Sequence, residues 1–440
     1  MADSEERKIG LVEAVTLGVG TMIGAGIFTL SGVGAQVAGP AVAVSFVLAG
    51  IIALLTALNY CELSSTYPES GGGYVYAKKG FGKFTGFVTG WLLWFGYITA
   101  CFVYSYGFGK YFSTIVGLPV WASSILVIFS VALINILGTD IMSRFQNLLV
   151  FSIILGLGVF VLGSAGSVDP SMWNNFAPQG WNNVAKASGM LFITFLGFEI
   201  VSSIAGDVKK PSKTLPRSII ISVFLVMILY VVVSFVITGI IPYNQLGFKG
   251  PVEVAYETLG PYGVSFLTIV ALMATISSLN ASLLAGSRVS LEMSKDSFFP
   301  PQFSRISRFG TPIVTIIVSS LMVVSFTFTD MVEIISYAAS INFVLAFILV
   351  NLSTILLRYE YPDKERPFEV PGYPVTQFIA TLLCVAMLVN MDFTAWTISI
   401  VWLFFGVGFF FLWYEIEMDM KIDDIYFRKF NEYFNRNNDD

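Results

Sequence analysis

Two short stretches of this sequence put helix-breaking residues, and in one case a charge, inside strongly apolar runs. Gly24-Ala25-Gly26 lies in the middle of the run 10–36, which also contains Gly18, Gly20, Gly32 and Gly34. Phe195-Leu196-Gly197-Phe198-Glu199 lies within the run 184–206 and adds a carboxylate. Glycine in a helix interior costs about 1 kcal/mol against alanine. That cost has a use if the helix is meant to come apart. A broken helix frees amide N–H groups at the start of one half and carbonyls at the end of the other. The first suit a carboxylate, the second an ammonium or another cation. A carboxylate at the centre of a membrane helix costs about 2.5–3.5 kcal/mol on insertion scales, which places Glu199 at a cavity or beside a buried partner. Plainer readings stand beside these. The glycines could serve close helix packing. Glu199 could be protonated or hydrogen-bonded and only tie helices together.

The elements that must position these residues are apolar spans. The chain has 440 residues, 55% hydrophobic and only 12% charged, with mean hydropathy +0.77. Soluble domains carry about 25% charged residues, and no water-facing fold of this size hides so much apolar surface. A bilayer core of about 30 Å needs about 20 apolar residues per helix. Twelve runs fit, at 10–36, 41–66, 84–112, 119–138, 145–165, 184–206, 216–241, 259–290, 312–329, 332–357, 374–390 and 393–414. Barrel strands would alternate, whereas Ile219 to Ile237 is apolar on every side. With the N-terminus placed in the cytoplasm, all of the 24 Lys and Arg except Lys110, Lys186 and Lys249 fall on the cytoplasmic side. This supports both the number of spans and an orientation with both termini inside. Trp121, Trp173, Trp181 and Trp413 fall near the expected interfaces. Gly24 and Gly197 are 173 residues apart with an odd number of spans per unit, so a second unit enters the membrane inverted. The expected fold is all-α integral membrane, with 12 transmembrane helices in two inverted five-helix repeats. Residues 1–440 form one transporter domain: repeat 1 over about 10–165, repeat 2 over about 184–357, spans 11–12 over about 374–414, and a cytoplasmic tail at 415–440.

Other chemistry is disfavoured residue by residue. The sequence has no histidine, which removes HExxH metal sites and Ser-His-Asp triads. Cys61, Cys101 and Cys384 each sit in an apolar run and read as core residues. The net charge of -5 and the lack of a basic face argue against nucleic acid. No Walker A pattern is present, and Gly18-Val19-Gly20 follows no strand, so neither ATP nor a dinucleotide is expected; no cofactor is. The acidic start Met1 to Lys8 reads as no signal peptide, so the first span is expected to be retained. Ser70-Gly71-Gly72-Gly73 could be a gating hinge or an ordinary loop. In the tail, Ile422, Ile425, Tyr426, Phe430, Tyr433 and Phe434 share a helical face, as an interfacial helix or a solvated end would place them.

In these motifs the chain resembles the amino acid–polyamine–organocation (APC) superfamily of permeases. The resemblance runs through most of the chain. It rests on Gly24-Ala25-Gly26-Ile27-Phe28; Gly39-Pro40; Tyr60-Cys61-Glu62-Leu63; Gly197-Phe198-Glu199; Asp207-Val208-Lys209-Lys210-Pro211; Ser277-Ser278-Leu279-Asn280-Ala281; Phe309-Gly310-Thr311-Pro312; and Arg366-Pro367-Phe368 with Val370-Pro371-Gly372-Tyr373-Pro374. The resemblance implies a substrate site at mid-membrane between spans 1, 3, 6, 8 and 10. By position, Met22, Ile23, Gly24, Ala25, Gly26 and Ile27 of span 1 and Ile193, Phe195, Leu196, Gly197 and Phe198 of span 6 would line it. The backbone of Ala25 to Ile27 would hold an α-carboxylate, and the carbonyls of Met22, Ile193 and Leu196 an α-ammonium. Many members carry an aromatic gate where Ile193 stands here, so Phe195 or Phe198 takes that role in this reading. Some members place a lysine in span 5 where this chain has Ile153. Sodium-dependent relatives use span 8 hydroxyls, here Ser277 and Ser278, although serine in a membrane helix also bonds its own backbone or a neighbouring helix.

The function expected from these readings is a secondary transporter, symporter or exchanger, of neutral or apolar amino acids by alternating access in the cell membrane. Glu199, Ser277 and Ser278 are its candidate coupling or gating residues. Its partners are the amino acid, the bilayer and possible H+ or Na+; the sequence is silent on oligomeric state, and beyond that sodium no metal is expected. A polyamine or organic-cation carrier with Glu199 as counter-ion is the alternative. An enzyme or channel is more distant, for want of any catalytic constellation.

Overall fold

The computed structural model describes residues 9–246, 250–329, 331–389 and 391–413; the tail residues Ile422 to Phe434 lie outside that set. The described chain is helical. Its helices are α1 Leu11–Met22, α2 Ala25–Ala38, α3 Val42–Thr66, α4 Gly73–Phe81, α5 Lys83–Val116, α6 Val120–Ile136, α7 Thr139–Ser164, α8 Trp181–Leu191, α9 Ile200–Ser203, α10 Pro211–Thr238, α11 Tyr243–Leu246, α12 Pro251–Lys295, α13 Ile313–Phe326, α14 Val332–Glu360 and α15 Val375–Leu388. A last helix, α16, spans Phe393–Trp413. The β-type pairing described is one isolated parallel bridge, Ile9 to Val208.

Eight helical stretches are long and apolar enough to cross a membrane, and α1, α6, α13 and α15 are shorter apolar helices. The outer surface explains the composition. Leu148, Leu155 and Leu162 lie seven residues apart along α7 and are 65%, 70% and 78% exposed. A stripe of that kind is stable only against another apolar phase. The interior holds the polar side chains, and many hydroxyls bond the carbonyl three or four residues back in their own helix, as Thr99 and Ser290 do. Cys61, Cys101 and Cys384 are buried and free.

Several boundaries differ from the apolar runs for local reasons. The run 259–290 belongs to α12, which starts eight residues earlier and turns sharply at Gly260 (φ 66°), followed by Pro261. Polar residues in Pro251–Leu259, such as Glu253 and Glu257, hide that first helical piece from a hydropathy reading. The Ser70–Gly73 stretch is a docked turn. Gly71 (φ +102°) and Gly72 (φ +50°) turn the chain so that the Gly71 amide donates to the Ser203 carbonyl at 2.8 Å and Ser70 Oγ accepts from Gly206 N–H at 3.2 Å.

The same face is closed by charge. Glu62 at the end of α3 is 2% exposed; its Oε1 accepts from Arg358 Nε of α14 at 2.6 Å, and its Oε2 accepts from the Val370 amide at 2.8 Å and from Arg358 Nη2. Arg288 of α12 meets Asp207 beyond α9 at 2.8 Å. Ile9 exchanges main-chain bonds with Asp207 and Lys209 at 3.0 and 2.8 Å, which pins the segment before α1 onto the same loop. The Glu62 contacts tie α3 to α14, and those of Asp207 and Lys209 tie the start of α1 and α12 to the loop after α9.

Candidate functional site

The first interruption lies between α1 and α2. Met22 is the last helical residue, the Ile23 amide still reaches the Val19 carbonyl at 2.9 Å, and Gly24 is extended (φ -69°, ψ -153°). Gly24 has no side chain to cap α2, so the amides of Ala25, Gly26 and Ile27 form a first helical turn without intrahelical acceptors. The carbonyls released at the end of α1 are met by side chains from other helices. Ser278 of α12 donates its hydroxyl to the Gly20 and Thr21 carbonyls, at 2.8 and 3.0 Å. Tyr230 of α10 donates to the Met22 carbonyl.

The second interruption follows α8. The helix tightens to a 3-10 turn over Phe192–Phe195, Leu196 is extended, and Gly197 has φ +132°, a conformation open to glycine alone at this depth of packing. Glu199 restores order there. Its Oε2 accepts the Gly197 amide at 2.8 Å, two residues away, and α9 then begins at Ile200. Glu199 is 2% exposed and its Oε1 makes no hydrogen bond among the described residues. The Tyr97 phenol of α5 is a neighbour of the same carboxyl. A buried carboxyl with one committed and one uncommitted oxygen can accept a proton or face a cation.

The two interruptions touch. A Cβ on Gly197 would stand 2.6 Å from Thr21 Cβ and 3.2 Å from the Met22 nitrogen. A Cβ on Gly26 would stand 2.8 Å from Thr194 Cγ2, and one on Gly24 would stand 2.6 Å from Ser278 Oγ and 2.9 Å from the Tyr104 ring. At Gly197 the neighbour includes the Met22 main chain, whereas at Gly24 and Gly26 it is the side chains of Ser278, Tyr104 and Thr194 that leave no room for a Cβ. Met22, Ile23, Ile27 and Leu196 are buried around the contact, and Ile193 is partly buried. Phe195 and Phe198 are fully buried. Phe195 packs on Tyr230 of α10, and Phe198 on Tyr60 of α3 and Phe347 of α14.

Ser277 takes a different part from Ser278. It accepts from Gln146 Nε2 of α7 at 2.8 Å, and Gln146 continues through Asn280 to Asn135 of α6 at 2.8 and 2.9 Å. This amide chain runs beside Gly20, whose Cβ would lie 2.3 Å from Gln146 Nε2. Ile153 is fully buried in α7. The sequence reading missed Tyr230, Gln146 and Tyr97. Each is a polar side chain inside an apolar run, a signal that was present but carried no indication of its partner.

An all-helical, lipid-facing body with two interrupted helices in contact at its core is the architecture of a solute carrier. The amino acid permease profile matches residues 9–411, and the chain belongs to that family, within the APC superfamily. The branched-chain amino acid permease BcaP of Bacillus subtilis (strain 168) is 31% identical over 434 residues, 93% of each chain. The methylthioribose transporter of the same organism is 29% identical over 429 residues, 92% of this chain and 93% of its own. Cationic amino acid transporter 4, vacuolar, of Arabidopsis thaliana is 31% identical over 384 residues, 81% of this chain and 64% of its own. The protein is therefore a multi-pass membrane transporter of an amino acid permease family, and not an enzyme.

Proposed function

We propose that this permease is a secondary carrier of neutral, apolar amino acids at the cell membrane, working by alternating access. The observation that supports the reading is the contact between the α1–α2 and α8–α9 interruptions, Gly197 against Thr21 and Met22 and Gly26 against Thr194; in this reading the first-turn amides of α2 and the carbonyls of Met22, Ile193 and Leu196 line one site. Amides would hold the carboxylate and carbonyls the ammonium of a zwitterion. The side chains around them, Ile23, Ile27, Phe195 and Leu196, are apolar, which fits an aliphatic substrate side chain. The name of the Bacillus branched-chain permease points the same way.

In this proposal the chain crosses the bilayer twelve times, α1 to α7 and α8 to α14 form two inverted repeats, and both termini are cytoplasmic. In this proposal sodium is not the coupling ion. The Ser278 hydroxyl donates to the very carbonyls a cation would need, and Ser277 is engaged with Gln146. Coupling runs instead through Glu199 and protons, or by exchange. One observation favours a second reading, the uncommitted and buried Oε1 of Glu199, which would suit a polyamine or other organic cation.

Purified protein in liposomes should take up labelled leucine, with unlabelled neutral amino acids competing and putrescine not. Replacing sodium by choline should leave the rate unchanged. Uptake of none of the twenty amino acids by folded protein would refute the reading, and competition by putrescine would favour the second one.

A further inference from the structure

Tyr230 sits where the two interruptions meet, and nothing in the proposed site yet gives its hydroxyl a task. It is fully buried in α10, its ring held between Phe46 of α3 at 5.0 Å and Phe195 at 5.3 Å between centroids. Its oxygen lies within hydrogen-bonding distance of two carbonyls, Met22 at the end of α1 and Thr194 in the α8–α9 interruption, the latter at 3.1 Å. A phenol has one proton. It can serve one of the two carbonyls fully or both incompletely. An α-ammonium brings three N–H donors and could satisfy both.

We propose that the Tyr230 hydroxyl is a positioning group that stands in for the substrate's ammonium in the empty carrier. It bridges the two broken helices when no amino acid is bound and gives up its carbonyls when one enters. The inference rests on the proposed zwitterion site. Its consequence is a division of labour. The tie stabilises the empty carrier and its return across the membrane, while the loaded carrier does without it. Exchange, which cycles only the loaded form, is then less dependent on Tyr230 than net uptake.

The test compares wild type with Tyr230→Phe in liposomes, using leucine as the probe. Net uptake into empty vesicles should fall about tenfold, the size of effect expected for one buried hydrogen bond, while exchange against internal leucine changes far less. In detergent, the leucine-free variant should melt at a lower temperature than leucine-free wild type, and the two leucine-saturated proteins at nearly the same temperature. The melting comparison applies even to a strict exchanger. Equal losses in net uptake and exchange, or equal destabilisation with and without leucine, would overturn the proposal. If Tyr230→Phe does not fold, 3-fluorotyrosine at position 230 keeps the packing and donates more strongly, and it should weaken leucine binding; unchanged binding would overturn the proposal as well. A wild-type protein that ignores leucine would instead remove the apolar amino acid reading beneath it.

Discussion

Gly26→Leu is expected to weaken amino acid binding strongly while leaving the chain inserted and helical. The position lies in the first turn of α2, where leucine is a better helix former than glycine. Helix formation is therefore not what suffers. Even a Cβ would stand 2.8 Å from Thr194 Cγ2, and the remaining atoms of leucine would fill the space between the α2 amides and the second interruption. Overpacking of this kind typically costs about 1–3 kcal/mol, so leucine affinity should drop about ten- to a hundredfold. Scintillation proximity binding measures the loss, and circular dichroism with size-exclusion chromatography checks the fold. Unchanged affinity would remove the α2 amides from the site.

The second large effect is expected at Glu199, where two substitutions separate two roles. Glu199→Ala leaves the Gly197 amide buried without its acceptor, a cost of about 1–3 kcal/mol at the turn that shapes the site. Binding and transport should both be lost. Glu199→Gln can still offer an amide oxygen to Gly197 but cannot exchange a proton. It should bind leucine and support exchange, yet fail to accumulate leucine when a proton gradient is the sole driving force. Accumulation by the glutamine variant at the wild-type level would exclude Glu199 from coupling.

The features legible in the sequence were those that violate a rule of the membrane. Gly24 and Gly197 are expensive within apolar helices, and both mark helix interruptions in the structure. Glu199 is expensive for the same reason, and its bond to Gly197 belongs to the interruption itself. What was not legible depends on distant parts of the chain. Tyr230 reaches Met22 across 208 residues, and Glu62 reaches Arg358 across 296. Composition cannot distinguish a tyrosine that binds a carbonyl from one that merely packs. The serines show the same limit. Ser277 and Ser278 were recognisable as polar neighbours on one helix, but their opposite engagements, one with α7 and one with the end of α1, follow from how α12 is rotated in the bundle. The nine-residue helix α4 escaped notice because Lys78 and Lys79 and its short length read as loop.

The central claim is that main-chain groups at two broken helices grip both charged ends of an amino acid. Displacement of labelled leucine from purified protein by its own fragments tests this directly. Leucine and valine should displace it, whereas isoamylamine, which lacks the carboxylate, and 4-methylpentanoate, which lacks the ammonium, should fail at concentrations a hundred times higher. Displacement by either fragment at concentrations near that of leucine would mean that only one end is held, and would contradict the account.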